Sequence, residues 1–350
     1  MLKRILLNTV IFVMFFQTFK ANTTYTAADL PTVDGKIYHL SLKPGDLAPN
    51  IIIVGDPGRA PLLAEYCLEK PYTADVYHRG LRTITGKIKN SHLQLSIVTT
   101  GMGTPSAEIV LNEIVALNEI TLNNRTQKET PCYKTMNIIR LGTSGGLQSE
   151  TALGTPVISA YAVGLDNTGL FYDVPTQDPQ VLEIEKACKK AIDKVIPNES
   201  RFAHTIHPYA AAASSEIVQA LQEAAQEEKV ETKIGITASN SGFFANQGRD
   251  ISRVALTIPD LDGVLSNLTF KSEKFGTLKI ENMEMEASFI FHFFSGLNTK
   301  IYPASYRVGA VCPAIANRRL NTFDGHYEEN VLNALRIILK AFEKLNATQQ

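Results

Sequence analysis

Three arginines beside glycine-rich turns set the chemistry open to this chain. Arg59 closes VGDPGR (54–59), Arg79 sits in YHRGLRT (77–83), and Arg140 leads into LGTSGG (141–146). Most arginines are solvated at surfaces, but Arg140 is the third residue of the otherwise apolar segment IIRL. A charge there must be paired or must face a polar cavity. With Gly142 and Thr143 following, it brings guanidinium, backbone N–H and hydroxyl donors to one anion, a mix that suits phosphate. No Walker-type phosphate loop occurs, so a small free oxyanion fits better than a nucleotide tail.

Two further groups carry chemistry. In SGFFANQGR (241–249), Phe243 and Phe244 precede Gln247 and Arg249, with glycines on both sides. Such a loop suits a flat object that is apolar on its face and polar along its edge. NMEMEAS (282–288) places Glu284 and Glu286 near the start of an expected helix. Positions i and i+2 point apart on a helix, so the two are not a matched acid/base pair. One is expected to cap the helix or pair with an arginine; the other accepts from ligand hydroxyls or stays solvated.

These groups need a scaffold. Apolar β-branched runs at 51–54, 93–98, 138–141, 156–160, 235–238 and 307–311 predict buried strands. Helical periodicity predicts helices at 105–119, 179–195, 214–228, 284–296 and 326–345. The alternation implies one α/β domain around a central sheet, with polar stretches near 120–136 and 173–210 as surface insertions. Several strands end in the glycine-rich turns, where an open α/β sheet exposes backbone N–H groups to ligands.

Composition narrows the partners. Lys plus Arg number 34 against 35 Asp plus Glu, which gives no long-range pull toward nucleic acid or an anionic membrane. Residues 1–21 begin with Lys3 and Arg4, then a short apolar run at 5–16. That pattern reads as a secretory signal peptide and is too short for a comfortable bilayer span. Export, with a mature domain from residue 22 to 350, is the resulting expectation. Cys67, Cys132, Cys188 and Cys312 have no metal-like spacing; they could pair or stand as buried thiols.

Taken together, IYHLSL (37–42), VGDPGR, YHRGLRT, TTGMGTPSAEIVLNE, IIRLGTSGGLQ, ITASNSGFFANQGR, NMEMEAS and AIANRR (314–319) resemble the uridine phosphorylase branch of the nucleoside phosphorylase superfamily. The resemblance implies a phosphorylase/hydrolase-like fold with a central mixed sheet flanked by helices. It implies phosphorolysis of uridine by inorganic phosphate, giving uracil and ribose 1-phosphate, with no metal or redox cofactor. Phosphate would be held by Gly55, Arg59, Arg140 and Thr143, with Arg79 from a neighbouring subunit. Ribose would be held by Glu286 and the Met285 backbone, with the neighbour's His39 at the 5′-hydroxyl. Phe243, Gln247 and Arg249 would hold the base, and Arg318 would close over a pyrimidine carbonyl. Arg249, Arg318 and Glu286 are thus the implied catalytic groups. The minimal active unit would be a dimer, alone or within a hexamer.

Two departures from the pattern stand out. Gly80 follows Arg79 where bacterial-type relatives place a Glu that helps hold a monovalent cation, so a cation site does not carry over. Thr104 replaces a common glycine and is expected to narrow the phosphate side. Two other readings compete. A hydrolytic nucleosidase needs a carboxylate to activate water and has little use for three anion-binding arginines. A secreted nucleoside-binding or storage protein could keep the fold without the activity; retention of Arg59, Arg79, Arg140, Gln247, Arg249 and Glu286 together speaks against it.

Overall fold

The computed structural model describes residues 23–347, so the leader assigned to 1–21 lies outside the described residues. An N-terminal hairpin pairs β1 (Thr32–Val33) with β2 (Lys36–Ile37). Then come β3 (Asn50–Val54), α1 (Arg59–Cys67), β4 (Ala74–His78), β5 (Leu81–Lys87), β6 (Gln94–Thr99) and α2 (Thr104–Glu119). A small hairpin, β7 (Ile120–Thr121) and β8 (Thr126–Gln127), leads to β9 (Thr135–Leu141), β10 (Ser144–Gly146) and β11 (Pro156–Gly164). Next are α3 (Pro179–Val195), β12 (Tyr209–Ala212), α4 (Ser215–Glu227), β13 (Lys233–Ser239) and α5 (Leu261–Ser266). The chain ends with β14 (Thr269–Ser272), β15 (Gly276–Glu284), α6 (Ala287–Asn298), β16 (Ser305–Asn317), β17 (Thr322–Phe323) and α7 (Glu328–Ala347).

Every expected strand and helix is present, and the α/β class with a central mixed sheet holds. The sheet has two regions joined by the long strand β16. Its first half pairs in parallel with β9, from which β3, β6, β5 and β4 extend as an open sheet. Farther along, β16 meets β10 in parallel and β11 in antiparallel sense, closing the ring β11–β13–β15–β10–β16. The run IIIV in β3 explains why the open part lies between helices. Ile51 and Ile53 pack with α2 and α6 on one face, while Ile52 and Val54 pack with α1, α4 and α7 on the other. Burial of both faces is what a continuous β-branched run in a parallel strand requires.

The stretch 173–210 is not simply a surface insertion. Asp178 caps α3 by accepting from Gln180 N at 2.9 Å, with Pro179 in the first turn. The helix then buries Val181, Ile184, Cys188 and Ile192 against the ring. Their spacing is that of one helical face, so the segment completes a third core. Among the unforeseen elements, the β4–β5 hairpin matters most. Its two-residue loop is Arg79–Gly80, with φ of 52° and 80°. Positive φ at both positions is the mark of a type I′ turn, which fits the twist of the flanking strands. That turn is a physical reason for glycine at position 80 and puts Arg79 at the tip.

Candidate active site

One cavity of about 870 Å³ gathers the residues that follow several strands. The residues expected to hold phosphate are among its lining: Gly55 after β3, Arg59 at the start of α1, Arg140 in β9 and Thr143 beyond it. Glycines make room here. A Cβ on Gly142 would stand 2.8 Å from Cys312 Sγ and 2.9 Å from Arg140 Nη2, so a side chain would displace the guanidinium. Arg59 is buried, donates to Leu141 O at 3.3 Å and lies 6.0 Å from the Tyr327 ring centroid.

Arg140 is paired as its strand position demanded. Nε donates to Glu284 Oε2 at 2.6 Å, and Nη2 forms an ion pair with Glu286 Oε2. Nη1 is buried with no hydrogen-bond partner among the described residues, in a side chain that lines the cavity. Burial works against the Arg140 charge, but Glu286 and then Glu284 outweigh it and hold the guanidinium more firmly protonated than an ordinary arginine.

Both glutamates pair with Arg140, and Glu284 is the one that caps the helix. Glu284 ends β15, three residues before the first residue of α6, Ala287. It accepts from Ser239 Oγ and from the N–H groups of Glu286 and Ala287, the last two at 3.0 Å, and so caps α6. Burial raises its pKa, but Arg140 and these donors more than compensate, and it lies below the usual carboxylate range. Glu286 accepts from Gly103 N at 2.5 Å, at the start of α2. Desolvation pushes Glu286 up to about 7, with Arg140 opposing and Glu284 adding to the rise. Its neighbour Met285 also lines the cavity.

Phe243, Gln247, Arg249 and Arg318 line the same cavity. Arg249 lies 4.0 Å from the Phe243 ring centroid. Its Nη1 donates to Phe243 O at 2.6 Å and to Gln247 Oε1 at 2.5 Å. Gln247 therefore has its acceptor occupied, while its buried Nε2 has no partner. Burial, and then the Arg318 charge, hold the Arg249 guanidinium below its ordinary pKa, with Asp262 pulling the other way. The arrangement offers a polar edge of donors beside an aromatic face, in reach of an anion site.

His39 and Arg79 do not line this cavity. They stand together elsewhere: Arg79 lies 5.3 Å from the Tyr38 ring centroid, and His78 Nδ1 is 2.9 Å from His39 O. His39 Nδ1 meets Glu113 Oε1 at 2.8 Å.

The model of the Phosphorylase superfamily matches residues 49–343. The chain belongs to the phosphorylase superfamily. It is 29% identical over 301 residues to a uridine phosphorylase of Thermococcus kodakarensis, covering 85% of this chain and 84% of that one. It is also 29% identical over 206 residues to a purine nucleoside phosphorylase of Clostridium perfringens, covering 59% and 67%. A Trypanosoma brucei nucleoside phosphorylase, whose crystal structure is described as showing uridine phosphorylase activity, superposes with a TM-score of 0.78 at 29% identity. That match covers 90% of this chain and all of the other.

Within this superfamily chain, two expectations need correction or refinement. Thr104 does not narrow the phosphate side: it is fully buried, and its hydroxyl lies 3.1 Å from that of Thr168, away from the cavity lining. Arg318 lines the cavity, and its Nη1 also donates to Gln247 O at 3.0 Å, so it holds the loop as well. Residues that the motifs did not single out also line the cavity, among them Asp56, Met102, Phe323 and Tyr327. Asp56 lay within VGDPGR and was open to notice. Phe323 lies beyond AIANRR in a stretch without pattern, and Tyr327 stands at the start of the helical segment 326–345, whose periodicity marks packing rather than a site. The four cysteines are free thiols, and burial pushes Cys67, Cys188 and Cys312 up to about 12.

Proposed function

We propose that this chain catalyses phosphorolysis of uridine to uracil and ribose 1-phosphate. The observation that carries this reading is that one cavity is lined both by Arg59, Arg140 and Thr143 and by Phe243, Gln247 and Arg249. Phosphate, held by the first group, forms a bond to C1′ as the bond from C1′ to the base nitrogen breaks, through an oxocarbenium-like transition state. The electron pair leaves with uracil. Arg249 and the free Gln247 amide N–H take up the charge that develops on its carbonyls, as preorganised donors do at closed sites. Glu286, ionised, accepts from ribose hydroxyls, with the Met285 backbone beside it. A pyrimidine is preferred because Gln247 Nε2 and Arg249 are donors suited to ring carbonyls, and the loop 314–319, where a purine-specific relative is expected to carry Asp, reads AIANRR.

The separate cluster of Arg79 and His39 supports a homo-oligomer in which each copy completes its neighbour's site. The leader supports export. Inorganic phosphate is the co-substrate in this reading, and no other cofactor is called for. Assay of uracil release from uridine, with and without phosphate and with inosine as the comparison, tests it. Phosphate-dependent release from uridine and none from inosine is expected. Release without phosphate would make the chain a hydrolase, and no release would favour a binding protein.

A further inference from the structure

Asp262, in the short helix α5, is only 5% exposed and has no part in the reaction as described. A buried carboxylate needs a counter-charge, and it meets two arginines that follow β16. Arg319 Nη2 donates to its Oδ2 at 3.3 Å, and Arg318 Nε stands 3.6 Å from the same oxygen. The contacts continue inward from Arg318. Its Nη1 donates to Gln247 O at 3.0 Å, and its Nη2 to Gly248 O at 3.5 Å. Gly248 has φ 69°, and a Cβ there would lie 3.0 Å from Pro259 O and 3.2 Å from Asp262 Oδ1. The loop thus turns directly against the start of α5, in a conformation and a space that suit only glycine.

This chain of contacts ends at Gln247. Arg318 holds its backbone carbonyl and Arg249 holds its side-chain oxygen. The remaining polar atom, Nε2, is buried and unpartnered in a residue that lines the cavity. Three arginines, 249, 318 and 319, converge here, and Asp262 is the carboxylate that faces them.

We propose that Asp262 is a positioning residue for base recognition: it pins Arg318 against the backbone at 247–248 and so fixes the direction of the Gln247 amide N–H. Asp262 does not touch the ligand; it acts through Arg318. The proposal rests on the reading that this end of the cavity receives a ring carbonyl of a nucleobase.

The test is Asp262→Asn, which removes the charge and keeps the shape, assayed with uridine and phosphate varied separately. The KM for uridine should rise about tenfold, the scale of one charge-assisted contact in a partly exposed pair, with the KM for phosphate unchanged. A fraction of misfolded protein would instead lower kcat and leave both KM values alone, which would overturn the assignment. Arg318→Gln should reproduce the rise, and it carries the test if the Asp262 variant does not fold. The double variant should be no worse than either single one, because both break one clamp; additive losses would overturn it. Failure of the wild type to act on uridine would sink the functional reading but not the clamp. Hydrogen exchange at 241–250 then decides: faster exchange in Asp262→Asn supports the clamp, and unchanged exchange refutes it.

Discussion

Arg140 and Glu286 meet as a buried ion pair where the end of β9 faces the turn into α6 and the start of α2. Both residues line the cavity, and Glu284 shares the same guanidinium. Burial lifts Glu286, with the Glu284 charge adding to the rise, whereas Arg140 and the donors from Ser239, Glu286 N and Ala287 N keep Glu284 low despite its own burial.

Glu286 should therefore impose a pH dependence. With its pKa at about 7, above the ordinary 4.5, the carboxyl is protonated below neutrality and cannot accept from ribose hydroxyls as an anion. For uridine, kcat/KM should rise as pH increases through about 7. Inorganic phosphate also changes charge in this range, so Glu286→Gln is the control. It should be slower at high pH and lose the part of the profile that Glu286 supplies. For stability the sign is opposite: a raised carboxyl favours folding fully below its unfolded pKa, and that contribution is lost as pH rises through about 7. Glu286→Gln should accordingly lose less stability than the wild type between pH 5 and 8, measured by urea unfolding.

Removal of the shared cation should destabilise the fold. Arg140→Met leaves Glu284 and Glu286 buried without it, an arrangement that costs roughly 3–5 kcal/mol. Chemical unfolding measures the loss. Adding Glu284→Gln and Glu286→Gln should restore much of the stability, while phosphate binding stays absent. Unchanged stability in Arg140→Met would contradict the pairing.

Arg249 and Gln247 should act on the base and not on the anion. Arg249→Ala is expected to lower kcat with uridine by about 10²–10³-fold, the scale for loss of one preorganised donor, with phosphate affinity retained. Isothermal titration with phosphate and steady-state kinetics separate the two effects. A loss confined to phosphate affinity would move Arg249 to the other end of the site.

Subunit sharing is tested by mixing two inactive variants. If Arg79 serves a neighbour's cavity and Arg59 serves its own, Arg79→Ala and Arg59→Ala oligomers exchanged together should regain activity. Random pairing in a twofold-symmetric dimer restores about a quarter of the sites. Continued inactivity after verified subunit exchange would place both arginines in one chain's site.

Much of this site was legible because its residues break local rules. Arg140 is a charge inside IIRL, and a charge among buried isoleucines must have partners. SGFFANQGR sets an amide and a guanidinium beside aromatics within one loop, so its binding character did not depend on distant contacts. Five helices and six strands were legible for the same local reason, their apolar character and periodicity, whereas the interior strands β10 and β15 were not foreseen. Asp262 was not, because its meaning comes from Arg318 and Arg319, which follow β16 far along the chain. Nor was the ring closure, since β16 chooses partners on both sides through tertiary packing. The β4–β5 hairpin escaped notice because its turn is Arg–Gly rather than Asn–Gly or Asp–Gly, and α1 because it starts directly from the phosphate-side turn.

The most direct test of the account is a phosphorus NMR time course of the leader-free protein with uridine and inorganic phosphate. Conversion of the inorganic phosphate signal into that of ribose 1-phosphate, in step with uracil release, is the predicted result. Uracil accumulating while the phosphate signal stays constant would contradict it.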